Sequence, residues 1–270
     1  IYLPHLDYNL QRYWLNFQKI GKDLKEIDDV VKDLVTYYHK KNAAVVLLSE
    51  YGITNVERPI HLNKELRKKG YLGIREERGL ELLDAGASKA FAVADHQICH
   101  IYLNDQKERE AVKKLVENVP GVEQVLDSDA IEESHLNHER AGDLIAIADD
   151  KSWFTYYFWL DDAKAPDYAR MVDIHKKPGY DPVEMMTDPA DKLVVPKILW
   201  KLLKKKMGFR TVMDVIPLKA ELMKGSHGRK PESKEDWPIF ITDAQGVSNK
   251  KQLQATEVFS TLKEIINNRS

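Results

Sequence analysis

One cysteine, Cys99, stands in 270 residues, so no internal disulfide can form and a disulfide-stapled secreted scaffold is excluded. Reducing surroundings, and hence the cytoplasm, are the expectation. No apolar run approaches the ~20 residues needed to cross a bilayer. Charge of one sign is not in excess either: 41 Lys and Arg face 43 Asp and Glu, for a net charge of −2. Interspersed charges of this kind give no basic face for a nucleic-acid polymer or an anionic membrane. Internal repeats, low-complexity linkers and a signal-like segment are absent. The first residue is Ile1 rather than Met, and the true N-terminal portion is expected upstream of it. What is there is an ordinary globular composition, 43 % apolar and 31 % charged, with length for one or two domains.

Periodicity divides the chain into elements. Leu24, Ile27, Val31, Leu34, Val35 and Tyr38 recur at helical spacing and predict one helix over 22–39, closed by Asn42. The continuous apolar run Ala43–Leu48 then suits a strand buried on both faces, as in a parallel sheet. A short helix is predicted over 62–69, stopped by Gly70, followed by a strand over 71–75. From Ala90 to Leu103 the pattern is strand-rich, interrupted at Asp95-His96-Gln97. A helix over 107–118 and strands over 122–126 and 144–148 complete a small α+β unit. Trp153-Phe154-Thr155-Tyr156-Tyr157-Phe158-Trp159 reads as a core strand, with a ligand-stacking surface as the other option. Pro196–Lys206 predicts a helix whose terminal lysines, Lys204 to Lys206, complement its C-terminus. A strand over 238–242 and a helix over 253–267 end the chain.

Three loop-borne groups could carry chemistry. Asp7 and Gln11 face one point if the chain is helical there, being one turn apart. Glu50 and Tyr51 leave the C-terminal end of the Ala43–Leu48 run, and open α/β sheets place their sites at that end. His227 lies between Ser226 and Gly228 on a loop that runs toward Pro238-Ile239-Phe240-Ile241. Carboxylates with an imidazole suit a divalent ion that polarises a phosphoryl oxygen. Each group also has a plain structural reading: Asp7 as a helix cap, Glu50 as a surface turn, Ser226-His227-Gly228 as a surface loop. Asp95-His96 is a further ligand pair or, on the plainer reading, a histidine ordered by its neighbours. In Asp173-Ile174-His175-Lys176-Lys177-Pro178-Gly179, His175 could serve as a ligand and Lys176 or Lys177 could meet a phosphate; the alternative is a polar Pro-Gly turn.

These segments resemble the type I phosphodiesterase and nucleotide pyrophosphatase branch of the alkaline phosphatase superfamily, with phosphonoacetate hydrolase as a cousin. In that family an aspartate with a histidine four residues on binds one metal; Asp7 matches, with Gln11 in the histidine's place. A strand ending in Asp-His-Gly binds the other metal; Glu50-Tyr51-Gly52 stands there. His227-Gly228 ahead of Pro238-Ile239 matches the late histidine. The middle also resembles phosphonoacetate hydrolase at His100–Leu103, Gly121–Leu126 and Arg140–Leu144.

The resemblance implies an α/β fold, an alkaline phosphatase-like three-layer sandwich with a mainly parallel central sheet and a small α+β cap. Residues 1–85 and 190–270 would form the metal-binding core and 86–189 the cap. It implies a metal-dependent hydrolase of phosphodiester, pyrophosphate or related phosphorus-ester bonds in a small metabolite or nucleotide. Asp7, Gln11, Glu50, Tyr51 and His227 would hold metal, and His175 and Lys176 would contact substrate. The family's nucleophile, a threonine or serine, would precede Ile1. Zinc is the family's metal; the oxygen-rich substitutions favour manganese or magnesium, or a member with one metal or none. The alternative is a degenerate member that binds a phosphorylated metabolite without turnover.

Overall fold

A computed structural model describes residues 1–172, 177–244 and 251–268. Its best-packed part is the α+β unit anticipated from the sequence. Four antiparallel strands, β6 (Ala90–Asp95), β7 (Ile98–Leu103), β9 (Leu144–Ala148) and β8 (Val122–Leu126), form a sheet in the order β6-β7-β9-β8. Alternation sets the buried face, with Ala90, Ala92 and Ala94 of β6 beside Cys99, Ile101 and Leu103 of β7. Helix α4 (Arg109–Glu117) buries Val112 and Val116 against this unit. Cys99 is fully buried and acts as a small hydrophobe.

The aromatic run is core, as its composition predicted. Every residue from Ser152 to Trp159 is buried. Its first part, β10 (Ser152–Phe154), pairs in parallel with β3 (Arg58–Ile60). Helix α3 (Leu62–Lys68) closes the same core with Leu62 and Leu66. Its Arg67 donates two hydrogen bonds to the Glu81 carboxylate of β5 (Leu80–Asp84), one of them at 2.9 Å, and another to the Phe158 carbonyl at 3.2 Å. β5 is the return strand of a hairpin with β4 (Gly73–Glu77).

Around this centre the elements are short or exposed. Helix α1 (His5–Tyr13) and the long α2 (Phe17–His39) pack on one another, yet only Ile20 of α2 is buried. The Ala43–Leu48 run yields just a three-residue strand, β1 (Val46–Leu48). It pairs antiparallel with β12 (Phe240–Thr242). The expected doubly buried parallel strand is therefore corrected. Leu48 and Ile241 of this ribbon are 46 % and 56 % exposed, because the described residues lay nothing over them. Sheets among the described residues are small and mostly antiparallel, and no mainly parallel central sheet is among them. Residues 1–4 form no strand. Helix α6 (Val194–Lys206) and helix α7 (Val258–Asn267) form where periodicity placed them, and α6 buries none of its residues. No helix among the described residues is long and apolar enough to cross a membrane.

Candidate functional site

Helix α1 supplies the first two side chains. It begins after Pro4 and carries Asp7 in its first turn, where a carboxylate suits the helix dipole. The i, i+4 spacing puts Gln11 over Asp7, and Gln11 Nε2 donates to Asp7 Oδ2 at 2.9 Å. Gln11 is buried and its Oε1 has no partner. The opposite face of α1, with His5, Tyr8, Asn9 and Arg12, lines a separate cleft against α2 of about 870 Å³.

A small ribbon brings the remote segments in. β2 (Thr54–Asn55) pairs antiparallel with β11 (Gly225–Ser226), which sets the loop after Ser226 beside the loop before Thr54. Gly225 makes this possible: a Cβ there would lie 2.3 Å from the Leu10 carbonyl oxygen and 2.7 Å from Ile53 Cγ2. The Lys224 amide donates to the Gln11 carbonyl at 2.9 Å and ties α1 to the ribbon.

The result is a column of four rings. Tyr51 stacks on His227 with centroids 3.6 Å apart and planes 10° apart. His227 stacks on His96 at 3.8 Å, and His96 on Tyr180 at 4.4 Å. The Tyr51 hydroxyl points to Asp7 Oδ1 at 3.4 Å. His96 Nδ1 lies 3.4 Å from the buried Ser226 hydroxyl. Asp7, Gln11, Tyr51 and His227 thus meet, although three distant parts of the sequence supply them. Glu50 does not join them; it is exposed at the bend after β1. Of the Asp95-His96 pair, His96 turns inward and Asp95 outward.

Burial dominates the electrostatics. It lowers the His96 pKa to about 2, helped by His227, and lowers that of His227 to about 4. It raises the Tyr51 phenol, with the Asp7 charge adding to the rise, and raises Tyr180 for the same two reasons. It also raises the Asp7 carboxyl against the lowering from its bonds to Gln11 and Tyr51. At neutral pH both imidazoles are uncharged and both phenols keep their protons. The site offers hydrogen donors from Tyr51 and Gln11, acceptors from the imidazoles, and one unpartnered amide oxygen.

The donors as placed do not fit a divalent ion. Asp7 faces an N–H and an O–H, and the two imidazoles pack ring against ring with their planes 33° apart. Among the described residues no group of three or more His, Cys, Asp or Glu is arranged to hold a metal. The expected ligand set is thus brought together in part, as a hydrogen-bonded ring stack. His175 and Lys176 lie outside the described residues. The neighbouring Lys177 is buried and paired with Asp181 at 2.9 Å, so it is turned from any substrate.

Sequence reasoning passed over two members of the column. Tyr180 carried no signal; it arrives because Gly179 bridges to Ala94 and the Tyr180 amide donates to the Ala94 carbonyl at 2.9 Å. His96 was noticed only as half of an acid-imidazole pair.

An α/β fold brings Asp7, Tyr51 and His227 together, and sequence comparison identifies the family. The model of the type I phosphodiesterase / nucleotide pyrophosphatase family matches residues 1–181, and the chain belongs to that family. Its members hydrolyse phosphodiester and pyrophosphate bonds and generally depend on divalent metal. Among solved structures, murine ectonucleotide pyrophosphatase/phosphodiesterase 5, as an inactive variant in complex with AMP, aligns with a TM-score of 0.54 at 14 % identity. That alignment covers 97 % of this chain and 51 % of the murine one, so the chain spans about half its length. Phosphonoacetate hydrolase from Sinorhizobium meliloti in complex with phosphonoformate aligns at a TM-score of 0.31 and 15 % identity, over 52 % of this chain and 31 % of that one. A search of curated proteins finds no match.

Proposed function

We propose that this chain carries part of the active site of a hydrolase that cleaves phosphodiester, pyrophosphate or related phosphorus-ester bonds in a small metabolite or nucleotide. The observation that carries this reading is the meeting of Asp7, Tyr51 and His227 at one site, from segments far apart in sequence. By resemblance these positions match the family's metal-binding motifs, with Tyr51 in place of a histidine. The AMP complex of the murine structure fits a small phosphorus-ester ligand.

The chain's own residues suggest how such a ligand is held. The Tyr51 hydroxyl and the Gln11 amide are donors aimed into the site, and Asp7 fixes both. Turned to a ligand, they would donate to non-bridging phosphoryl oxygens, where negative charge builds during transfer. His227, uncharged at neutral pH, offers a lone pair to a hydroxyl of the ligand or of water. No step is drawn through a metal, because the donors as placed do not fit one.

Hydrolysis of bis(p-nitrophenyl) phosphate by the full-length protein tests the reading, measured with chelator and with added zinc, manganese or magnesium. We expect turnover in at least one condition, and a loss of about 10²-fold on Asp7→Asn or His227→Ala, the scale of one lost transition-state contact. Variants as fast as the parent would overturn the assignment.

A further inference from the structure

Family resemblance assigns functional groups to Asp7, Tyr51 and His227, and the last of these packs against His96. We infer that His96 is a positioning residue for the proposed reaction: wedged between His227 and Tyr180, it fixes the plane of the His227 ring. The inference rests on the phosphoester reading above and adds a residue which that reading does not need.

Three independent features single out His96. The first is its backbone. Asp95 pairs with Ile98, so His96-Gln97 is a two-residue hairpin loop, and His96 has φ of 56°. Glycine or asparagine is usual in that left-handed region, and a larger side chain there is held by its surroundings. A hairpin alone gives no reason for histidine. The second is anchoring. The His96 carbonyl accepts from the Phe154 amide at 2.7 Å, the Gln97 carbonyl accepts from the Ala148 amide at 2.9 Å, and the Gln97 side chain donates to the Ser152 carbonyl at 3.2 Å. The loop is pinned to the buried β9–β10 region. The third is what the ring touches. It is 5 % exposed, lies between two other rings, and its Nδ1 is a long 3.4 Å from the Ser226 hydroxyl. An imidazole buried with so little hydrogen bonding is costly, so packing against His227 is its evident use.

The same loop holds His227 a second way. The Gln97 amide donates to the His227 carbonyl at 2.9 Å. Backbone and ring of His227 are therefore both referenced to one hairpin. Ser226, just before His227, is fully buried and His227 itself is half-buried, so the hairpin contact adds to the hold of β11 on this ring.

The variant His96→Gly suits the left-handed backbone and leaves a ring-sized gap between His227 and Tyr180. We expect kcat to fall about tenfold or more, with KM changed by less than about threefold, as for loss of orientation rather than of binding. Added imidazole should restore part of kcat by filling the gap, a recovery that general destabilisation would not show. NMR of the parent labelled at its nine histidines gives a readout independent of turnover. The His227 ring protons should lie upfield from stacking and move back toward free imidazole in His96→Gly. Tyr180→Leu, which leaves the hairpin intact, should move them partway and serves if His96→Gly does not fold. Unshifted His227 signals in the parent, or unchanged kcat in the variants, would overturn the inference. A parent that shows the shift but no hydrolysis would instead remove the phosphoester reading and leave the stack standing.

Discussion

Residues 56–186 and the segments flanking them differ in how they spend their apolar side chains. The middle holds nearly all the fully buried large residues, Trp153, Tyr156, Phe158, Trp159, Leu66 and Ile101 among them. The flanks expose theirs: Leu199 and Trp200 on α6 are 61 % and 54 % exposed, and Phe259 on α7 is 76 % exposed. The candidate site straddles the two. Asp7, Gln11, Tyr51 and His227 come from the flanks, while the buried His96 and the half-buried Tyr180 come from the middle. Chemistry-bearing groups on weakly held segments gain precision by packing against a rigid loop, and the ring column is the joint.

The contrast can be broken most forcefully in the core. Trp153→Ala should cost about 3–5 kcal/mol, the usual range for a buried aromatic. Leu199→Ala should stay within about 0.5 kcal/mol, as for other exposed positions. Urea denaturation of both variants checks this, and equal losses would mean that α6 packs as tightly as the core. Next in size is Arg67→Met, which leaves the buried Glu81 without its partner. A loss of about 3 kcal/mol is expected, against a few tenths for Lys22→Ala, whose pair with Glu26 is exposed.

Acid should weaken the core's contribution in a defined window. Burial lowers the His61 pKa from 6.5 to about 4, with the Lys64 charge adding to it. The unfolded chain takes up the proton as pH falls through about 6.5, while the folded chain resists until about 4. Stability is thus full above that window and lost as pH falls across it, by an amount on the order of 2 kcal/mol. Stability curves at several pH values, for the parent and His61→Asn, test this; the variant should fall less steeply. A smaller effect is expected at the joint. Gly225→Ala drives a methyl into the Leu10 carbonyl and should cost about 1–3 kcal/mol, with a matching loss of any hydrolysis.

Much of the core was legible in the sequence, and the reason is local. The hairpin over 90–103, the helix near 109–117 and the strands at 122–126 and 144–148 announce themselves through period and turn residues. The aromatic run declared its burial by composition. Asp7 and Gln11 met because i, i+4 spacing needs only a helix. The Ala43–Leu48 run misled: apolar content shows that a strand can be covered on both faces, not that neighbours exist to cover it. His96 was singled out beside Asp95, but its place in the ring column was hidden for a different reason. A histidine in a left-handed turn breaks the glycine rule by which turns are recognised, and its partners Tyr180 and His227 are joined to it only by tertiary packing. Glu50 matched a pattern in the chain, yet the bend after β1 turns it to solvent.

The account stands on the meeting of the flanking segments with each other over the core hairpin, and a double-mutant cycle between Tyr51→Leu and His227→Ala measures it without requiring activity. Stacked at 3.6 Å, the pair should show a coupling energy of about 0.5–1.5 kcal/mol in denaturation. Losses that add within about 0.3 kcal/mol would contradict the site as described.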